Sequence, residues 1–185
     1  AKVFSIYCGV SENFCPFSEI DKENRKDYLK KKYNISTPYI LDVSRLDPHK
    51  NIEILIDAFV ILKNQYQIPH KLIIVGGRHL AEYSKMIEAK IKDKNLGADV
   101  IIAPYIENED LPAVYNLADL LVYPSLLEGF GLPIVEAMRC GVPVVASDIP
   151  VLAEVSGGAA ALVNPRDAKQ LASKIFEILN NQKLR

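Results

Sequence analysis

No stretch of this sequence stays apolar long enough to span a bilayer, and nothing near its start reads as a signal peptide. A predominance of one charge is equally lacking. The 22 Lys and Arg residues stand against 23 Asp and Glu, a net charge of −1, so no global field draws the chain to nucleic acid or an acidic membrane. Cysteine is scarce: Cys8, Cys15 and Cys140 are odd in number, and no Cys-x-x-Cys or neighbouring His-Cys spacing marks a zinc site. They are expected as core or surface thiols in a reducing compartment, with the cytoplasm as the expected location. Ser125 and Ser147 lack the Gly-x-Ser-x-Gly surroundings of a hydrolase nucleophile. His49, His70 and His79 are scattered, and His70 before a strand reads as structural. What is present is the composition of an ordinary globular protein, 49% hydrophobic and 24% charged. Its 185 residues suit one domain, and no hinge divides them.

The ruling pattern is alternation. Apolar runs rich in β-branched residues occur at 39–43, 72–75, 100–102, 120–123, 142–146 and 160–163, with 3–6 as a further edge strand or part of an entering linker. They are mostly continuous, as expected of parallel strands covered on both faces. Between them Ile52, Leu55, Ile56, Phe59 and Leu62 form one apolar stripe, and Leu171, Ile175, Ile178 and Leu179 another. Shorter helices fit 80–94, 110–117 and 133–140, while 21–33 reads as a helix whose charges form a solvated face. Strand–helix alternation throughout predicts a Rossmann-like, doubly wound parallel α/β sheet. Ligands of such sheets bind beyond the carboxyl ends of the strands, here the loops 44–51, 76–79, 104–109, 124–132 and 147–150.

Chemistry concentrates in those loops. Glu128-Gly129-Phe130-Gly131-Leu132-Pro133-Ile134-Val135-Glu136 sets two carboxylates seven residues apart across a glycine-rich strand-to-helix turn. Pro133 suits the first helical position, and Gly141 the end of that helix. Unpaired N–H groups and the positive end of the helix dipole meet at such a turn. On spacing alone the run fits an anion-binding turn flanked by hydroxyl-binding carboxylates. It fits equally an ordinary α/β connection with Glu136 exposed. Upstream, Arg45 and Lys50 frame another strand-end loop, able to clamp a diphosphate or simply to be solvated.

The run from Pro124 to Met138 resembles the E-x7-E signature of the retaining family-4 (group 1, GT-B fold) glycosyltransferases. The Arg45 and Lys50 loop resembles the cation pair with which that family grips the donor diphosphate. Similarity extends to Leu72-Ile73-Ile74-Val75-Gly76-Gly77, to Ala103-Pro104-Tyr105-Ile106 with Leu111, Tyr115 and Asp119, and to Cys140 through Ser147. Gly157-Gly158-Ala159 to Pro165, and Tyr7-Cys8-Gly9-Val10 with Phe14 and Pro16, continue it over nearly the whole chain.

The resemblance implies one half of a GT-B architecture: residues 1–185 as a single nucleotide-sugar-binding domain with 1–20 as an entering linker. The acceptor domain, its histidine and the crossing carboxy-terminal helix have no counterpart in these residues. The implied activity is transfer of a hexose from a nucleoside diphosphate sugar, UDP or GDP, to a glycan or lipid acceptor, with retention. Arg45 and Lys50 would neutralise the diphosphate as the glycosidic bond breaks. Glu128 would bind sugar hydroxyls and Glu136 the ribose. Backbone N–H groups of Phe130, Gly131 and Leu132, beside Gly129, would face sugar and phosphate, and Tyr105 with Ile106 would flank the base. The two glutamates are then binding groups rather than a hydrolase acid and nucleophile. No Asp-x-Asp occurs, so no metal and no cofactor beyond the donor are expected. The Gly76-Gly77-Arg78-His79 turn departs from the family by lacking an acidic residue, which leaves it a weak ribose or base role. Alternatives are a non-catalytic sugar-nucleotide-binding module, or a GT-B epimerase or phosphorylase; no local sequence marks a phosphorylase's pyridoxal lysine. Nucleic acid is not an expected partner, and any membrane association would be peripheral, through the other half.

Overall fold

The computed structural model describes residues 6–77 and 80–181. The strand considered at 3–6 therefore lies outside the described residues except for Ile6, which is irregular, and Arg78 and His79 lie outside them too. Six strands form one parallel sheet: β1 (Tyr39–Val43), β2 (Lys71–Val75), β3 (Val100–Ile102), β4 (Leu120–Tyr123), β5 (Val144–Ser147) and β6 (Ala161–Val163). Their order is β3-β2-β1-β4-β5-β6. In register, Leu41 pairs with Ile73 of β2 and with Leu121 of β4. The central strands are buried on both faces, which is why they read as unbroken apolar runs rather than as alternation.

Helices cover both faces. The stripe on α2 (Ile52–Asn64) packs Leu55, Ile56 and Phe59 on one side of the sheet. There they meet Ile87 and Ile91 of α3 (Ala81–Asp93), and Leu171 and Ile175 of α7 (Ala168–Asn180). On the other face lie Leu29 and Tyr33 of α1 (Glu19–Tyr33), Val114 and Tyr115 of α4 (Leu111–Asn116), Ile134 and Ala137 of α5 (Leu132–Arg139), and Leu152 of α6 (Pro150–Ser156). Side-chain caps fix the starts of α1 and α7. Ser18 Oγ accepts the Asp21 N–H at 3.1 Å, and Asp167 Oδ1 accepts those of Lys169 and Gln170.

Three expectations need adjustment. Pro133 stands at the second helical position, because α5 begins at Leu132. The strand expected from 142 starts at Val144, after Gly141 and its neighbours complete the turn that closes α5. Helix α6 was not foreseen: its seven residues are too few to show a repeat, and Pro150 reads as a loop although it suits a helical first turn.

The segment before α1 is pinned to the domain. The Phe17 N–H donates to Asn116 Oδ1 at 2.7 Å, Asn116 Nδ2 donates to the Cys15 carbonyl, and Arg139 Nε donates to that of Phe14. Phe14 also meets the Tyr115 ring edge-on, with centroids 5.6 Å apart.

Candidate functional site

In the strand order β3-β2-β1-β4-β5-β6 the chain reverses direction of winding between β1 and β4, where doubly wound sheets open a crevice. The loop after β1 carries Arg45 and Lys50, and the loop after β4 carries Glu128. Two backbone and side-chain ties hold these loops together. The Leu126 N–H donates to the His49 carbonyl at 2.8 Å, and Asn51 Nδ2 bridges the carbonyls of Pro124 and Pro165. Asn51 does so with φ of 58°, a backbone state that asparagine tolerates better than most residues. On the other side Gly76 lies so close that an added Cβ would stand 2.4 Å from the Ser44 carbonyl oxygen, so only glycine fits there.

The ties bring residues 78 positions apart into contact: Lys50 Nζ donates to Glu128 Oε1 at 2.6 Å. It also donates to Tyr123 OH at 3.2 Å and lies 5.4 Å from the centre of that ring. The two charged side chains are 12% and 9% exposed. At that burial, desolvation offsets much of the attraction, so the pair is a poor stability device. Burial pushes the Glu128 carboxyl up. The hydrogen bond from Lys50, with the Ser125 and Tyr123 hydroxyls nearby, outweighs that and holds it below the ordinary carboxylate range. Arg45 is more open, its nearest acid being Asp47 at 3.6 Å. Arg45, Lys50, Glu128, Phe130, Gly131 and Leu132 all line one open cavity of about 350 Å³. Gly131 has φ of 95° and caps α5, whose first turn leaves backbone N–H groups without intrahelical acceptors.

Glu136 sits elsewhere. It is four residues into α5, accepts the Tyr115 hydroxyl at 2.7 Å, and borders a separate cavity of about 340 Å³ with Ser11, Asn13, Phe14, Asn108 and Leu111. Burial raises its carboxyl above the ordinary range, against the Tyr115 hydrogen bond. The two glutamates thus serve two adjoining surroundings. Tyr105 is 71% exposed, whereas the Ile106 side chain lies in the core, so Ile106 has only its main chain to offer a ligand. Gly129 is exposed, with open space where a Cβ would stand.

Three contributors were not singled out from sequence, and Tyr115 entered only through the family resemblance. Tyr123 was hidden in an apolar strand. Asn51 looked like any loop residue. Asp42, the lone charge in Tyr39-Ile40-Leu41-Asp42-Val43, did leave a signal. A further cavity of about 450 Å³ lies by the start of β5, lined by Val142, Pro143 and Ala160, away from all these groups. Among the described residues no three His, Cys, Asp or Glu side chains converge as a metal site would require, and no helix is long and apolar enough to cross a membrane.

Residues 22–185 match the profile of the family described as "Glycosyl transferases group 1". The chain is 32% identical over 181 residues to the serotype-specific mannosyltransferase WbdA of Escherichia coli, covering 98% of this chain but 22% of that protein. Among solved structures, it superposes with a TM-score of 0.78 on the C-terminal domain of the group 1 family protein LpcC from Francisella tularensis, at 27% identity, covering 95% and 90% of the two chains. It superposes with a TM-score of 0.81 on Anabaena HepE in complex with UDP-glucose, at 28% identity, covering 97% of this chain and 48% of that one. The fold is that of the carboxy-terminal half of GT-B glycosyltransferases.

Proposed function

The chain belongs to the group 1 glycosyl transferases, and from that premise we propose that it is the donor-binding half of a retaining glycosyltransferase. It would accept a nucleoside diphosphate hexose and present it to a glycan or lipid acceptor held by another half. The observation that carries this reading is the contact of Lys50 with Glu128 beside Arg45, in one cavity at the crevice between β1 and β4. In a site that pairs a buried cation with a buried carboxylate, each neutralises the other until a ligand separates them. A diphosphate would take Lys50 and Arg45, and the sugar hydroxyls would take the freed Glu128.

Chemistry follows from that division. As the bond between C1 and the leaving oxygen breaks, charge grows on the diphosphate. Arg45, Lys50 and the first turn of α5 oppose that charge already oriented, without reorganising. Glu128, ionised at neutral pH, orients the ring as positive charge develops on it. The nucleoside would extend toward Glu136, whose carboxyl accepts ribose hydroxyls beside Tyr115. The entering segment at Ser11 and Asn13 would form one wall for it, with Tyr105 and the Ile106 main chain near the base. No cofactor is required, since the cations of the site do the work of a divalent ion.

Calorimetry of the 185-residue chain against UDP-glucose, GDP-mannose and the bare diphosphates tests this. Binding that persists unchanged in EDTA is expected. Affinity that appears only with magnesium or manganese would remove the metal-free clamp from the proposal, and silence toward every nucleotide would remove the donor site.

A further inference from the structure

Asp42 is a carboxyl group where the sheet has no ordinary use for one. It is fully buried in β1, which is flanked by β2 and β4. Alternation along the strand sets it on the face of Ile40, opposite to Tyr39 and Leu41. In register it stands beside Ile74 of β2, and this face is covered by Ile52, Leu55 and Ile56 of α2. One oxygen, Oδ1, accepts the Ser44 hydroxyl at 2.5 Å; the other, Oδ2, is buried with no hydrogen-bond partner. A buried ionised group with an unmet acceptor is costly, and nothing in the packing of the strand requires it.

Its electrostatic neighbours explain its place. The charged groups that act on it are Lys50, which favours the ionised form, and Glu128, which opposes it; the Tyr123 phenol is the further titratable group beside it. These are the residues that face the donor cavity. Burial first, against Ser44 and Lys50 and helped by Glu128, pushes the Asp42 carboxyl up to about 7. Its ionised and neutral forms then lie close in energy near neutral pH.

A donor disturbs both of those neighbours. The diphosphate brings negative charge into the cavity and draws Lys50 away, and the balance that keeps Asp42 ionised is lost. Resting on the donor-site reading above, we propose that Asp42 is a positioning residue that takes up a proton from solvent onto Oδ2 as a nucleoside diphosphate sugar binds, releasing Lys50 wholly to the diphosphate. No covalent bond changes; the proton is the one species exchanged. Binding is then linked to pH through a group that never touches the ligand.

The test is calorimetry of the native chain with UDP-glucose and GDP-mannose, in HEPES and in Tris near neutrality and in acetate and in MES at about pH 5.5. The diphosphate diesters of these ligands do not themselves titrate near neutrality. The difference in heat between buffers counts protons taken up. On the order of half a proton per ligand is expected between about pH 7 and 8, fading toward pH 5.5 where Asp42 is already protonated. Asp42→Asn should bind with no proton uptake and a flat pH profile. Ser44→Ala removes the hydrogen bond to the ionised form, and should move the uptake window to higher pH. Ser44→Ala also decides the matter if Asp42→Asn does not fold, because a purely structural Asp42 would leave the window where it was. Equal uptake by native chain and Asp42→Asn, or binding without any uptake, overturns the inference and leaves the donor site standing. If neither sugar nucleotide binds the native chain, the donor reading itself falls and this inference with it.

Discussion

Glu128 and Glu136 share one strand-to-helix connection, yet the first is ionised against Lys50 and the second is pushed toward its neutral form beside Tyr115. Their removal should therefore have different signatures. Glu136→Ala is expected to weaken free nucleoside diphosphate and sugar nucleotide alike, by about 1–3 kcal/mol for hydrogen bonds to a carboxylate. Glu128→Ala should erase only the additional affinity contributed by the sugar. Because it also frees Lys50, it should leave the bare diphosphate bound as well as before or more tightly. Calorimetry of both variants, with circular dichroism to verify folding, separates the two. Equal loss of bare nucleotide in both would make the pair a structural feature of the turn.

Among the elements, α1 shows how a charged helix face can be more than a solvated one. Lys32 Nζ and the hydroxyls of Tyr28 and Tyr33 all donate to Asp110 Oδ2, at 2.7, 3.0 and 2.7 Å, with Arg25 3.6 Å from Oδ1. Asp110 precedes α4, the helix that carries Tyr115, so this latch holds the wall behind Glu136. Burial raises the Asp110 carboxyl, but the bonds from Lys32, Tyr33 and Tyr28 outweigh it, and the net direction is downward. A carboxyl held lower in the folded chain than in the unfolded one adds stability above its ordinary range. That stability is lost as pH falls through the lowered value. Asp110→Ala should cost about 2 kcal/mol, since it leaves the Tyr33 hydroxyl buried without its acceptor. It should also flatten the acid limb of the stability curve, read by thermal unfolding between pH 3 and 7. Hydrogen exchange should localise the change to α1; unaltered protection there would show that the latch does not hold the helix.

At the scale of the molecule, the sheet brings the groups proposed to hold the donor to one open edge. The chain spans 22% of the length of WbdA and 48% of HepE, each much larger than this unit. On the donor-half proposal, the chain by itself is expected to bind the donor without transferring its sugar, because the acceptor surface and the closure that excludes water would belong to the other half. Product analysis with sugar nucleotide and a mannan or lipid-linked acceptor checks this. Robust transfer by the isolated chain would make the 185 residues a complete catalyst and overturn the half-site reading.

The strands, the two long amphipathic helices and the turn at Gly131 were legible in the sequence, because each is written in a local pattern: an apolar run, a three-and-four repeat, or a glycine where φ must be positive. The candidate residues of the 128–136 run were legible for the same reason, as two acids at a fixed spacing on one connection. Partnership was not. That Lys50 closes on Glu128 and that Asp42 lies under the pair depend on β1 and β4 being neighbours in the sheet, whereas the meeting of Tyr115 with Glu136 depends on α4 packing beside α5. Sequence order puts roughly 80 residues between those strands, and only parallel pairing around β1 sets their ends side by side. Local pattern reports which face a residue shows to the core. It carries no record of which distant residue waits there, and the charge state of a carboxyl is decided by that neighbour and by the water it has lost.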